Sequence, residues 1–400
     1  MRLLAVSHSA ILDVNRRLFV ELARHGHQVL LVTPSRWRND FGALPLRAEP
    51  LSYHGDKRLA LRVTPVFLYG KTAFQTYPFS PYLDLPRWQP DVVYIDEEPW
   101  SIATLQWATQ ARRAHCPFIV RTNENRLRAY PWPFSAIYSY ILRYADWITP
   151  VNNYGIDVLR ENGYAGEASL LPYAVDTNLF YPADTRRQDD HTFKLGFVGR
   201  IAPEKGLETL LRAIALLRNR GAQCEGAARL VVHIYGASTD DYLAWMKEFQ
   251  QELSLSDGMV RWHGAIAHIE VPTAIRDLDA LVVPTVAHNG YKEQFGRVVI
   301  EALASKAPVI TSDNGELPLL TRETGGGMVF PEGNASALAD CLTVAMRERK
   351  ALEDMAQHGY DYVLGHYTYG MLATRLEEIM QRVTTSRSGR THGGCVRGDR

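Results

Sequence analysis

Residues 193–219 read FKLGFVGRIAPEKGLETLLRAIALLRN, and their interpretation decides the fold. The apolar run 193–199 has the length of a buried strand, and 207–219 reads as a helix. Between them lies the loop Gly199-Arg200-Ile201-Ala202-Pro203-Glu204-Lys205-Gly206. Gly199 lets the backbone pass close to a ligand, and Arg200 and Lys205 flank an anion at the carboxyl edge of the strand. A strand-to-helix loop with two basic residues is equally a solvated turn, so this loop alone leaves both readings open.

The alternation continues in both directions. Downstream come a strand at 229–235, a helix at 240–253, strands at 260–263, 280–284 and 308–312, a short helix at 271–276 and a helix at 297–305. Upstream, strands at 3–7, 28–33, 92–95, 118–122 and 147–151 alternate with helices at 15–25, stopped by Gly26, at 101–115, and one ending near Gly163. Such alternation predicts parallel sheets covered on both faces, with ligands at the carboxyl ends of the strands. The fold class is α/β, with two doubly wound halves. Hydrophobic periodicity fails over 181–192, where the linker is placed, and again from Thr384, so that 384–400 reads as a disordered tail.

Composition narrows the function classes. The chain has 400 residues, 46% hydrophobic and 22% charged, which is enough for two cores. Lys plus Arg and Asp plus Glu number 44 each, so no net field draws the chain to nucleic acid, and an anionic ligand must be caught locally. Cys116, Cys224, Cys341 and Cys395 stand far apart, a pattern that suits a reducing cytosol. The apolar run 1–6 is too short for a signal-peptide core, and no stretch approaches the length of a membrane span. The expectation is a cytoplasmic protein without a nucleic-acid partner.

A second stretch carries more chemistry: Lys292-Glu293-Gln294-Phe295-Gly296-Arg297-Val298-Val299-Ile300-Glu301-Ala302. A loop with one carboxylate leads through Gly296 into a helix, and Glu301 sits about one turn inside it. The N–H groups of Phe295, Gly296 and Arg297 would point at a diphosphate, helped by the positive end of the helix. Glu301 would accept two hydrogen bonds from a ribose diol, and Glu293 would bind sugar hydroxyls in front of the phosphates. Glu301 has apolar neighbours nearly all round, so its carboxylate is expected to be buried and to need partners.

Taken together, these residues resemble the donor site of the retaining glycosyltransferases of family 4, which have the GT-B fold. The resemblance rests on Glu293 and Glu301, on Gly199-Arg200 and Lys205-Gly206, and on Tyr235-Gly236, Trp262-His263-Gly264, Leu278-Asp279-Ala280 and Val283-Pro284-Thr285. It also includes Leu171-Pro172-Tyr173-Ala174-Val175-Asp176 before Phe180 and Pro182, and spans essentially the whole chain. It implies two Rossmann-like domains facing a central cleft: an acceptor-binding domain over 1–185 and a nucleotide-sugar-binding domain over 186–383. The last helix, about 369–380, would cross back to the first domain. Arg200 and Lys205 would contact the donor diphosphate, Glu293 the transferred hexose and Glu301 the ribose. Phe295 and Gly296 would lie against the phosphates, and the turn at Gly264 would pass under the base. The implied reaction moves a sugar from a UDP- or GDP-sugar to a glycan or lipid-linked acceptor of the cell envelope, with retention of configuration. No aspartate pair near these loops is spaced for a divalent cation, so neither metal nor cofactor is expected; the nucleotide sugar is a substrate.

The first half departs from this family. Relatives carry a glycine-rich loop after the first strand, where this chain has Ser7-His8-Ser9-Ala10-Ile11-Leu12-Asp13-Val14-Asn15. They also carry a histidine before Glu-Pro at the end of a later strand; here the run is Asp96-Glu97-Glu98-Pro99, which puts Glu97 in the histidine's place as a candidate catalytic group. The same acids also read as the first turn of a helix, favoured by its dipole. Ser9, Glu97, Glu98 and Asn123 are the candidate acceptor residues. The aromatic stretch 130–147 offers a face for peripheral membrane contact, although the spacing of Ile137, Tyr140, Ile141 and Tyr144 also suits a core helix. A nucleotide-sugar epimerase or a non-catalytic nucleotide-binding homologue would keep the fold, and a non-enzymatic interaction module stays open as well. A nicotinamide oxidoreductase would need G-x-G-x-x-G after the first strand, which is missing.

Overall fold

A computed structural model describes all residues except 39–45, 52–56, 184–191, 222–228 and 393–400. The chain forms two compact units, Met1–Pro172 with Tyr369–Arg400, and Tyr173–Thr368. The first contains β1 (Arg2–Ser7), α1 (Arg17–Arg24), β2 (Gln28–Pro34), β3 (Arg36–Trp37), β4 (Leu46–Arg47), β5 (Leu59–Thr64), α2 (Ser80–Trp88), β6 (Val92–Asp96), α3 (Ile102–Arg113), β7 (Phe118–Thr122), α4 (Phe134–Tyr144), β8 (Trp147–Pro150) and α5 (Asn153–Glu161). The second contains β9 (Thr192–Val198), α6 (Leu207–Gly221), β10 (Arg229–Tyr235), α7 (Asp240–Glu252), β11 (Val260–Gly264), α8 (Val271–Arg276), β12 (Ala280–Val283), α9 (Arg297–Ala304), β13 (Val309–Ser312), α10 (Leu317–Thr324), β14 (Gly327–Phe330), α11 (Ala335–Arg347) and α12 (Arg349–His366). A last helix, α13 (Tyr369–His392), returns to the first unit and packs on α1.

Each unit is built on a six-stranded parallel sheet, in the orders β5-β2-β1-β6-β7-β8 and β11-β10-β9-β12-β13-β14. The winding reverses between β1 and β6 in one sheet and between β9 and β12 in the other. These reversals open a crevice at the carboxyl ends of the strands, where a doubly wound sheet binds ligands. Both faces of the strands are buried, as parallel sheets require: in β1, Leu3, Leu4, Ala5 and Val6 are all inaccessible. In the second unit Phe193, Leu195 and Phe197 face a core shared with α6, while Leu281 and Val283 face one shared with α9.

Two expectations change. The boundary between the units falls at Pro172/Tyr173 instead of 185/186, because Val175 and Phe180 are buried in the second core and the Val175 N–H donates to the Tyr367 carbonyl at 2.8 Å. Most of the expected linker, together with Cys224 and Cys395, lies outside the described residues. The expected tail from Thr384 is helical as far as His392, since α13 runs on with Met380 and Val383 still buried. Among the described residues no helix is long and apolar enough to cross a membrane.

Candidate active site

At the reversal of the first sheet, Ser7 ends β1 beside Asp96, which ends β6. The Ser7 hydroxyl donates to Asp96 at 2.6 Å, and Ser9 stands next to it with its hydroxyl 2.9 Å from that of Ser7. Glu97 is 2% exposed, and four donors occupy its carboxylate: the His8 N–H at 2.9 Å, His8 Nδ1 at 2.6 Å, Gln75 Nε2 at 2.5 Å and the Tyr77 hydroxyl at 3.2 Å. Burial opposes charge on the His8 ring, but the facing Glu97 more than compensates and raises its pKa to about 9. The ring also stacks on Trp37 with centroids 4.4 Å apart. Burial and then Glu97 hold the Tyr77 phenol protonated, so it stays a donor.

Glu98 turns the other way. It accepts from Thr122 Oγ1 at 2.8 Å and from the Asn123 N–H at 3.0 Å, and burial raises its pKa despite these bonds. Asp96, Glu97 and Glu98 therefore do not form the first turn of a helix. Instead α3 starts at Ile102 behind its cap Ser101, whose hydroxyl accepts the Thr104 N–H. The loop that replaces a glycine-rich turn is held from inside by Arg16, 0% exposed, whose guanidinium donates to the carbonyls of Ala10, Ile11, Glu49 and Pro50. The guanidinium thereby ties residues 10–11 to 49–50, across which the Glu49 N–H also donates to the Ile11 carbonyl at 3.0 Å.

In the second unit, the loop after β9 lies flush against the end of β12. Gly206 has φ of 68°, and a Cβ there would stand 1.8 Å from the Pro284 carbonyl oxygen, so the close approach requires glycine. It is secured by the Val286 N–H donating to the Glu204 carbonyl at 2.9 Å. This brings Lys205 Nζ to 2.6 Å from Glu293 and 3.0 Å from the Tyr291 hydroxyl. Burial works against the charge on Lys205, but Glu293 and Tyr291 overcome it and raise its pKa. Arg200 pairs with Glu204.

The Glu293 backbone is clamped by the turn after β13. Its N–H donates to the buried Asn314 side chain at 2.8 Å, its carbonyl accepts the Glu316 N–H at 3.1 Å, and a Cβ on Gly315 would stand 2.2 Å from that carbonyl oxygen. Gly296 is the N-cap of α9. The first N–H groups of a helix have no partner inside it. Phe295 contributes backbone only, since its ring is 3% exposed and packs on Tyr173 and Tyr367. The Arg297 guanidinium lies over the Tyr173 ring.

Glu301 stands one turn into α9, half-buried as a residue, and among the described residues its carboxylate accepts no hydrogen bond. Burial raises its pKa, with Arg297 and His268 opposing. Gly264 ends β11, its carbonyl accepting the Gly236 N–H at 2.8 Å, and His263 beside it stacks on Tyr235 with centroids 4.3 Å apart. The structure thus gathers Lys205 and Glu293 at one reversal, and Ser9, Glu97, Glu98 and Asn123 around the other. Sequence reasoning missed His8, Gln75, Tyr77, Tyr291 and Asn314; of these only Tyr291, next to the stretch that begins at Lys292, carried a signal.

Comparison with known proteins bears on both halves of the chain. Residues 184–362 match the family described as Glycosyl transferases group 1, and 11–174 match the Glycosyl transferase 4-like domain. A D-inositol 3-phosphate glycosyltransferase of Stackebrandtia nassauensis is 28% identical over 233 residues, 55% of this chain and 51% of that protein. A GDP-mannose-dependent alpha-(1-6)-phosphatidylinositol monomannoside mannosyltransferase of Mycobacterium tuberculosis is 26% identical over 228 residues, 55% of this chain and 57% of that protein. The chain spans about half the length of these curated relatives. In fold it is similar to a sucrose-phosphate synthase from Thermosynechococcus elongatus, with a TM-score of 0.71 at 18% identity over 96% of this chain and 100% of that one. It is also similar to Anabaena HepE in complex with UDP, with a TM-score of 0.70 at 15% identity and the same coverage. With both sheets wound alike and both halves matched by glycosyltransferase families, the chain belongs to the group 1 glycosyltransferases of GT-B fold.

Proposed function

We propose that the chain transfers a hexose from a uridine or guanosine diphosphate sugar to a hydroxyl of a glycan or lipid-linked acceptor, with retention of configuration and without a metal ion. The observation that carries this reading is the meeting of Lys205, Tyr291 and Glu293 at the carboxyl ends of β9 and β12, ahead of the N-terminus of α9. As the bond between the sugar and the diphosphate breaks, negative charge collects on the bridging oxygen. Lys205, Arg200 and the helix tip meet it there, and groups already in place lower the barrier most. Glu293, its backbone fixed by Asn314, takes the sugar hydroxyls. Glu301, whose carboxylate lacks a hydrogen-bond donor, takes the ribose diol, and the turn at Gly264 borders the base. The acceptor oxygen bonds to the anomeric carbon on the face the diphosphate leaves, and its proton passes to a phosphate oxygen of the departing diphosphate.

On the acceptor side, four donors already saturate Glu97, so it acts by holding His8, and the imidazolium of His8 faces the acceptor. Relatives named for inositol phosphate and phosphatidylinositol mannoside support an acceptor rich in hydroxyls.

The test follows release of nucleoside diphosphate from UDP- and GDP-sugars, with a lipid or glycan extract as the acceptor source. Release should depend on acceptor and persist in a chelator. Arg200→Ala should lower kcat/KM roughly 10- to 150-fold, the loss of one charge-assisted contact worth about 1.5–3 kcal/mol. Release that ignores acceptor, or that stops in the chelator, contradicts the proposal.

A further inference from the structure

The aromatic residues of the first unit divide in an unexpected way. In α4, Ile137, Tyr138 and Ile141 are buried, and Tyr144 lies under the Arg112 guanidinium, 3.5 Å from its ring centroid. That stripe is core. The exposed apolar residues lie instead on the loop between β5 and α2 and on the approach to α4: Trp132 is 83% exposed, Phe67 64% and Phe79 61%, with Leu68 and Phe74 also exposed. These segments form one surface. Phe67 and Thr76 exchange backbone hydrogen bonds at 3.0 and 3.2 Å, and the Phe74 ring meets Phe134, two residues beyond Trp132, edge-on at 5.1 Å. Singly exposed apolar residues need no explanation, but large aromatic ones gathered on two loops do.

The charges around this surface share one sign although the chain as a whole is neutral. Residues 61–83 and 125–136 contain no Asp or Glu, and their charged residues are Arg62, Lys71, Arg126 and Arg128. The flanking acids pair with two of these cations: Asp84 is buried and faces Arg62, and Glu124 accepts from the Tyr130 hydroxyl at 2.8 Å and lies 3.3 Å from Arg128, so that no exposed acid is added to the surface itself. Exposed aromatics among cations suit an anionic lipid surface, into which the rings insert while the cations meet the headgroups.

The loop is also continuous with the candidate site. Gln75 and Tyr77, buried on the loop's inner side, donate to Glu97, which holds His8. Whatever surface the outer residues touch is one side-chain layer from the acceptor side. We infer that the exposed aromatic and basic surface formed by residues 67–79 and 126–134 docks on an anionic lipid bilayer and brings the His8–Glu97 pair to acceptors held in it. The statement about acceptors rests on the transfer reading; the docking does not.

The experiment is sedimentation of the full chain with vesicles of phosphatidylcholine alone or mixed with phosphatidylglycerol, without donor. The chain should pellet with the mixed vesicles and leave them as salt rises from about 0.05 to about 0.5 M. Phe67→Ser/Trp132→Ser should weaken binding at least tenfold and Lys71→Ala roughly fivefold, with melting temperatures unchanged because these side chains are exposed. The inference is overturned if the chain stays in the supernatant with both vesicles or if the variants bind as the original does. It is also overturned if the double variant instead dissociates a dimer, which would make a second copy the occupant. Nucleotide binding measured on the same preparations reports on the transfer reading separately.

Discussion

Glu97 has no lone pair to spare, and that decides how the acceptor side works. Two of its four donors come from His8, so the acid and the base stand or fall together. With an unfolded value near 6.5 and a folded value of about 9, His8 binds its proton more tightly in the native state. Its contribution to stability is therefore fully present below about pH 6.5 and is lost as pH rises through about 9. The unfolding free energy of the native chain, measured against His8→Gln, should exceed it by about 2–3 kcal/mol more at about pH 6 than at about pH 9.5. A difference that does not change with pH contradicts the pair. At this scale Glu97 was legible because an acid stood where relatives have a histidine. His8 was not, because its role depends on the parallel register that sets Ser7 beside Asp96, residues 89 apart. Arg16 escaped for the same reason, since two of the carbonyls it collects belong to residues 49 and 50.

Among the elements, the strands nearest each reversal were the most legible. They are short runs buried on both faces, and their apolar continuity is visible without neighbours. The edge strand β5 was not, because Ala60, Arg62 and Val63 lie exposed along it and Lys57 and Arg58 precede it. The last helix was placed but cut short, since its distal part, rich in Ser, Thr and Arg, has no clean apolar stripe. Its packing is nevertheless substantial: Leu372, Ala373, Leu376, Ile379 and Met380 are buried, and Glu377 reaches both His25 and His27 at 3.2 Å. Although distant in sequence, α13 completes the first unit. Leu376→Ala should therefore lower its stability by about 2–5 kcal/mol, read from denaturant unfolding. Loss of less than about 1 kcal/mol would mean that the helix is not an integral part of that unit.

At the scale of the whole molecule, one winding is used twice, and each reversal holds a different chemistry. The first carries an ion pair enclosed by hydrogen bonds, the second a lysine paired with an acid ahead of a helix tip. The second was the more legible because its residues sit close together in sequence, in two stretches that each run into a helix. The first is assembled from β1, the loop before α2, β6 and β7, and its partners cannot be paired by spacing alone. Net neutrality leaves local groups to hold the nucleotide, so the account turns on Glu301 and the helix that carries it. Calorimetric titration of the chain and of Glu301→Ala with UDP and GDP tests this directly. The account predicts heat of binding from at least one nucleotide and an affinity about tenfold or more lower in the variant, the loss of a hydrogen-bonded carboxylate being worth about 1.5–3 kcal/mol. Equal affinities for both proteins, or no heat from either nucleotide at about millimolar concentration, would contradict it.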